Sequence, residues 1–397
     1  MDKPLSGIRV LDLSRVLAGP YATMLLGDLG AEIIKVEAPN GGDDSRGYGP
    51  FIGEESAYFM SLNRNKKSVV LNLKADRSKA ILKDLARVSD VVVENFRPGT
   101  MERLGLGYEV LSKANPRLIF ASCTGFGNTG PYAGKPAYDI IVQGMGGIMS
   151  INGQPDGPPT RVGVSIGDIA AGLYTAVGVL AALEERHRSG LGQFIDVSML
   201  DCQLAILENA IARHLISGEI PGRLGNRHPT ITPFTSFPTL DGMVIVGAGN
   251  DTLFFRLCNA IGAPEIATDP RFKTNPLRCQ YWDELEPQLK EVFREKTTRE
   301  WIEILEAQGL PCGPINTMDQ VVGDPQVEAR GMLVELEHPV AGKHVVTAPP
   351  YKFSRTNPSV DTAAPVLGQH TEDVMKELLG MSDEAFALCR GAGCFSM

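Results

Sequence analysis

The residue with the most chemical promise is Asp168, which lies in Arg161–Val–Gly–Val–Ser–Ile–Gly–Asp168, directly before the uncharged, alanine- and leucine-rich stretch Ile169 to Leu183. A carboxylate at the mouth of a buried helix can be held ready as an anion, because backbone N–H groups and the helix dipole favour its charged form. Such a group can act as a nucleophile, or it can simply cap the helix. The same segment carries a decoy. Gly163–Val–Ser165–Ile–Gly167 matches the GxSxG elbow of serine hydrolases and thioesterases, and a helix follows it. The preceding Gly157–Pro–Pro–Thr–Arg–Val162 makes a poor central strand, and the pattern arises easily by chance in a chain with 43 glycines.

The surrounding elements must position that carboxylate. Gly7 to Leu13 reads as a short apolar strand, Ala18 to Leu29 as a helix with Pro20 in its first turn, and Glu32 to Glu37 as a second strand. Ser68–Lys74, Asp90–Glu94, Leu118–Cys123 and Phe194–Met199 read as further strands, separated by helical stretches at 78–88 and 108–114. Strand–helix alternation with continuous apolar strands predicts an α/β fold, a parallel sheet covered on both faces. The first loop, Ser14 to Pro20, lacks GxGxxG, so the scaffold is Rossmann-like without the signature of NAD binding.

A helix is expected over 200–215, a Gly/Pro/Thr/Asn-rich linker or active-site loop over 218–238, and a strand over 243–249. Helices follow at 253–261, 281–295 and 299–308, then short strands at 333–337 and 343–347 and a last helix at 371–379. The expected domains are a large Rossmann-like unit over 1–199 completed by 346–397, a linker over 200–224, a smaller α+β domain over 225–322, and a return linker over 323–345.

The chain has 397 residues, 43% of them hydrophobic and 21% charged, which is enough for two domains with real cores. A net charge of −9 argues against a nucleic-acid surface. Seven scattered cysteines without a CxxC pair fit reduced thiols in a cytoplasmic compartment, or a mitochondrial matrix form lacking its transit peptide. Six histidines show no metal-ligand spacing, so no metal is expected. The uncharged stretch after Asp168 falls short of the roughly 20 apolar residues of a membrane span, so no membrane partner is expected.

Taken in order, a set of motifs resembles the class III coenzyme A transferases, the family of formyl-CoA:oxalate and carnitine CoA-transferases. They are Leu5–Ser–Gly–Ile–Arg–Val–Leu–Asp–Leu13, Val16–Leu–Ala–Gly–Pro20, Leu29–Gly–Ala–Glu–Ile–Ile–Lys–Val–Glu37, Asn63–Arg–Asn–Lys–Lys–Ser68, Glu94–Asn–Phe–Arg–Pro–Gly99, Gly167–Asp168, Pro311–Cys–Gly–Pro–Ile315 and Leu367–Gly–Gln–His–Thr371. They cover nearly the whole chain. Asn226–Arg–His–Pro–Thr230 and Val246–Gly–Ala–Gly–Asn250 look most like the branch acting on succinyl-CoA and dicarboxylates such as glutarate.

The resemblance implies that Asp168 attacks an acyl-CoA thioester and carries first an anhydride, then a CoA thioester. CoA is then a substrate, with no tightly bound cofactor. CoA contacts are implied at Val16, Leu17, Ala18, Leu71, Lys74, Asn95, Phe96, Arg97, Arg103, Lys135, Tyr138 and Asp139. Tyr48, Arg46, Arg227 and His228 are substrate-pocket candidates, and Arg46, Arg64, Arg161 and Arg227 are the cations that could hold a distal carboxylate. His228 is also placed near the oxyanion donors. The partners implied are an acyl-CoA, a free carboxylic acid and a second copy of the chain in an interlocked homodimer.

Departures from the formyl-CoA enzymes point to a larger, less polar pocket: Leu17 replaces a glutamine, Ala38 an arginine and Tyr48 a tryptophan, and no closing glycine loop is evident. Preferred acceptors are therefore glutarate, itaconate or a malate-like acid. The related 2-methylacyl-CoA racemases need a His–Asp pair to move an α-proton, and here Tyr138–Asp139 stands instead. A noncatalytic CoA-binding protein would keep Asn95 and Arg103 but would not need a reactive Asp168.

Overall fold

The computed structural model of the protein describes residues 2–395. Its main sheet contains β1 (Arg9–Asp12), β2 (Glu32–Glu37), β3 (Lys66–Val70), β4 (Val91–Glu94), β5 (Ile119–Thr124) and β6 (Phe194–Ser198), all parallel, in the order β3-β2-β1-β4-β5-β6. Successive side chains serve opposite faces, as the pleat dictates. Leu11, Ile34, Val69 and Val92 pack with Ile81, Leu82 and Leu85 of the helix Asp76–Arg87 and with the C-terminal helices. Val10, Ile33, Val91 and Val93 pack on the other face, against α1 (Ala18–Asp28) and a long helix near the middle of the chain. The continuous valines of β4 are thus explained: both of its faces are covered.

The chain divides into two compact units, 1–148 with 161–219 and 325–397, and 149–160 with 220–324. These bounds depart from the sequence reading in three places. Residues 149–160 belong to the second unit, where Gly225 N donates to Gly153 O at 3.0 Å and Arg223 Nε to Gln154 O at 3.3 Å. The stretch read as a linker from residue 200 begins with two helices, Met199–Ile206 and Glu208–Ser217, in the first unit. The return segment carries an antiparallel hairpin in the first unit.

The second unit is built on a three-stranded antiparallel sheet of Phe234–Pro238, Met243–Gly247 and Cys312–Pro314, whose inner residues Phe237, Val244 and Val246 are buried with Leu257, Leu289 and Trp301. Its first strand was hidden in the sequence by the density of Thr and Pro around it.

Helix α2 (Asp139–Met145) and helix α3 (Ile166–Ser189) complete the scaffold of the site. Helix α3 begins before the uncharged stretch and continues through its charged tail to Gly190, whose φ of 75° ends it. At 24 residues it is long and apolar enough to cross a bilayer by length and composition, a correction to the shorter span read from sequence. Half of its most apolar window is buried within the protein, where it packs against α1 and the sheet.

Candidate active site

The strand order reverses between β1 and β4, and in open α/β sheets the crevice beyond the strand ends at such a reversal is where ligands bind. Here the chain leaving β1 meets the chain leaving β4. Arg15 N donates to Asn95 Oδ1 at 2.9 Å, and Asn95 Nδ2 donates to Arg15 O at 2.8 Å. Val16 then takes a left-handed conformation, φ 66°, which a β-branched residue rarely adopts. Gly19 has no substitute: a Cβ there would lie 2.2 Å from that of Ser14. Helix α1 starts at this point with no side chain capping it, so its first N–H groups are left for a ligand.

Asp168 comes to the same place through helix packing. Gly172 lets α3 approach α1 closely, since a Cβ there would lie 2.7 Å from Ala18 O. Asp168 is one turn earlier on the same face of α3. It therefore shares with Val16, Leu17 and Ala18 a cavity of about 430 Å³, also lined by Tyr48, Cys123, Tyr138 and Met199.

Asp168 is the third residue of α3, and Ser165, not Asp168, occupies the N-cap position. The alternative of a mere cap is thereby removed. Burial, and after it the negative charge of Asp139, pushes the half-buried Asp168 carboxyl up to about 7. Asp139 is itself engaged: Oδ1 accepts from Gly167 N at 2.9 Å and Oδ2 from Gln143 Nε2 at 2.7 Å. Gln143 in turn accepts from Val162 N at 2.8 Å, so α2 clamps the segment leading into α3. Tyr58, which no sequence signal singles out, lies within the field of Asp168; burial and then that charge push its phenol up to about 12. Its ring meets Tyr48 edge-on at 5.6 Å. The GxSxG match has no strand before it, and Ser165 at φ −75° lacks the strained backbone of an elbow.

A second cavity of about 600 Å³ shares Arg15, Asp44 and Phe96 with the first and runs over the ends of β1, β2 and β3. Of the residues expected to hold CoA, Val16, Leu17, Ala18, Asn95, Phe96, Arg97, Lys135 and Tyr138 line the first cavity, while Leu71, Lys74 and again Phe96 line the second. Arg103 lines neither, but donates to Thr100 Oγ1 at 2.9 Å on the rim of the second. Asp139 lies behind the wall. The combined groove joins apolar walls to Arg15, Lys74, Arg97 and Lys135, a combination suited to a long ligand with anionic groups at one end and an acyl group at the other. A further cavity, of about 810 Å³, lies at the opposite ends of β2 and β3 and contains none of these residues.

The four arginines separate cleanly. Arg46 forms a bidentate pair with Glu37, 2.7 Å to each oxygen, and lies over the Phe59 ring. Arg64 is buried against Asp28 at 2.7 Å. Arg227 sits over Trp282 with Nη2 donating to Cys279 O at 3.2 Å. Arg46 and Arg64 are thus held by carboxylates of the chain, which corrects them from substrate cations to structural ones, whereas Arg227 has no carboxylate partner among the described residues and its Nε is buried without a hydrogen bond. Arg161 is 43% exposed and touches Asp139 at 3.5 Å. In the second unit, Thr230 N donates to His228 Nδ1 at 3.2 Å, which leaves the neutral ring's proton on Nε2. Among the described residues no group of three His, Cys, Asp or Glu could hold a metal ion.

A family model described as CoA-transferase family III matches residues 5–371. The succinyl-CoA:glutarate CoA-transferase of Homo sapiens is 44% identical over 392 residues, covering 98% of this chain and 90% of the human one. An acetyl-CoA:oxalate CoA-transferase of Acetobacter aceti is 45% identical over 376 residues, covering 94% and 95%. The crystal structure of a CAIB/BAIF family protein from Brucella suis superposes with a TM-score of 0.85 at 39% identity, covering 95% of this chain and 100% of that one.

Proposed function

This chain belongs to CoA-transferase family III, and from that membership we propose that it moves CoA from succinyl-CoA to a four- or five-carbon dicarboxylate such as glutarate or itaconate, with Asp168 as nucleophile. A carboxylate oxygen of Asp168 attacks the thioester carbon, and CoA leaves as thiolate from a mixed anhydride. The thiolate attacks the aspartyl carbonyl and releases the donor acid, leaving an aspartyl-CoA thioester. The acceptor carboxylate attacks this thioester, forming a second anhydride and again a thiolate. Attack of that thiolate on the new acyl carbonyl yields the product thioester and restores Asp168. No proton is gained or lost overall, so the site must provide an unpaired carboxylate, exclusion of water and donors for each oxyanion.

The observation that carries the reading is the state of Asp168, a half-buried carboxyl pushed up to about 7 in a cavity beside the uncapped start of α1. The N–H groups of that helix start are the local oxyanion donors in this scheme. A proton shuttle of the racemase kind lacks its histidine, since none of the residues lining this cavity is one.

Leu17 and Tyr48 in the wall favour an acyl chain longer than oxalyl or formyl, and Arg161, half-exposed beside Asp139, and Arg227, without a carboxylate partner, are the cations left for a distal carboxylate. We also propose a homodimer. Helix Glu208–Ser217 has no buried residue, and Ile216 on it is 88% exposed, while Leu173, Tyr174 and Val177 of α3 are exposed together. Apolar surface of this extent fits a second copy.

Incubation with succinyl-CoA and a panel of acids that includes oxalate, followed by mass spectrometry of the thioesters, tests the reaction. Glutaryl- or itaconyl-CoA is expected, and oxalyl-CoA alone overturns the substrate assignment. Hydroxylamine added with succinyl-CoA should convert Asp168 to its hydroxamate; an adduct on Ser165 instead overturns the mechanism. Sedimentation at micromolar concentration should give twice the chain mass.

A further inference from the structure

Beneath the β1–α1 loop lies a cluster of four charged side chains, Asp12, Lys35, Asp43 and Lys66, each no more than 4% exposed. Asp12 Oδ2 accepts from Lys66 Nζ at 3.0 Å and from Thr23 Oγ1 at 2.7 Å, while Oδ1 accepts from Ser14 N at 2.9 Å. Lys66 also donates to Pro20 O at 3.0 Å. Lys35 Nζ is paired with Asp43 Oδ2 at 2.8 Å and donates to Ser14 O at 2.8 Å. The other oxygen of Asp43 accepts from Val16 N at 3.0 Å and from Ser45 N at 2.9 Å.

Three consecutive residues of the loop are thus tied by side chains from different parts of the fold: Ser14 by Lys35, Arg15 by Asn95, and Val16 by Asp43. The last residue of this restraint is the left-handed Val16, a conformation that a β-branched side chain opposes. A buried ion pair is a poor source of stability, because desolvation offsets most of its attraction. What such a pair supplies well is a fixed arrangement. Resting on the reading of Asp168 as nucleophile, we infer that the buried Lys35–Asp43 pair is the positioning device of acyl transfer: it holds Val16 left-handed and so fixes Leu17 and Ala18 against Asp168. Neither Lys35 nor Asp43 lines the cavity that contains Asp168, although both line the second cavity of the groove, so toward Asp168 itself they act through the loop.

The test uses the full-length enzyme with Asp43→Asn, and with Lys35→Met and Asp43→Leu combined, which keeps the site apolar should the single change fail to fold. Kinetics of CoA exchange and hydrogen exchange of amides 14–19 are measured on each. For either variant kcat should fall by about 10- to 100-fold, the scale expected when reacting groups are slightly misplaced, while KM for the acyl-CoA changes less than about threefold. Amides 14–19 should exchange faster than in the parent. Adding Val16→Gly to Asp43→Asn should recover part of the lost kcat, since glycine takes φ 66° without strain. A merely structural pair would instead lower the folded fraction, with parental kcat per folded enzyme and no recovery at position 16. Parental kcat and parental amide exchange in the double variant overturn the inference. If the parent itself fails to exchange CoA, the functional reading falls, and amide exchange at 14–19 still decides whether the pair fixes the loop.

Discussion

Asp168 and Asp43 are both aspartates withdrawn from water in the same unit, and burial is the largest influence on each, yet one carboxyl is pushed up to about 7 and the other held at about 2. Asp43 has Lys35 at 2.8 Å and accepts the N–H groups of Val16 and Ser45, which more than offset its burial. Asp168 has no cation acting on it, and its one charged influence, Asp139, is negative. The difference separates a carboxylate that holds a shape from one kept reactive. A paired anion is stabilised and therefore a weak nucleophile, whereas an unpaired, desolvated one gains by attacking a carbonyl.

The largest effect should come from removing the unpaired member. Asp168→Asn should lower kcat by at least about 10³-fold, because the amide cannot carry the acyl group or CoA. Initial rates of thioester exchange measure this, and a variant within tenfold of the parent would break the contrast. Next in size is the pH dependence. Attack requires the ionised carboxyl, so kcat/KM should rise through pH about 7 on its acid limb. Asp139→Asn keeps an acceptor for Gly167 N but removes the negative neighbour, and should move that limb to lower pH by about half to one unit. An unmoved limb would mean that burial alone sets the reactivity of Asp168.

The same contrast predicts opposite signs for stability. Asp168 is near 7 folded against an ordinary 3.8, so the folded state holds more protons between those values, and stability falls as pH rises through that window. Asp168→Asn should therefore raise Tm at pH 8, by about 2–4 °C for a chain of this size. Asp43 lies below 3.8, so its contribution is present above that pH and lost as pH falls through about 2. Asp43→Asn should lower Tm at pH 8, and the deficit should shrink in acid. Thermal melts at about pH 2, pH 4 and pH 8 check both, and equal signs at pH 8 would break the comparison.

Much of the scaffold was readable, and for a physical reason. Covered parallel strands announce themselves as apolar runs and amphipathic helices by their period, so β2 and β4, the helix at 371–379 and the apolar helix that carries Asp168 followed from local pattern alone, although that helix starts two residues before Asp168 rather than after it. The motif Asn95–Phe96–Arg97 was placed at CoA by the family resemblance, and it lines the groove directly after a strand. What failed to appear were relations between distant residues. Arg46 looks like a free cation until Glu37 closes on it, and Arg64 until Asp28 does. The Lys35–Asp43 pair was equally hidden, since a lysine within an apolar strand carries no mark of what it faces. Tyr58 sits in a short helix, Ala57–Leu62, whose composition gives no sign that one member lies within the field of Asp168.

The smallest expected effect belongs to Ser165, the residue that sequence pattern makes most conspicuous. Its hydroxyl makes no capping hydrogen bond to α3, and the backbone around it is neither a strand end nor strained. An N-cap serine that bonds its helix is worth about 1 kcal/mol, but here that bond is missing, so Ser165→Ala should change stability by less than about 0.5 kcal/mol. The CoA-exchange rate should stay within about twofold of the parent, because in the proposed scheme an oxygen three residues before Asp168 has no step to perform. An activated-serine phosphonate should leave the parent unlabelled under conditions that label a serine hydrolase. A large loss on Ser165→Ala, with Asp168→Asn tolerated, would exchange the roles of the two residues and reverse the contrast drawn between the carboxylates.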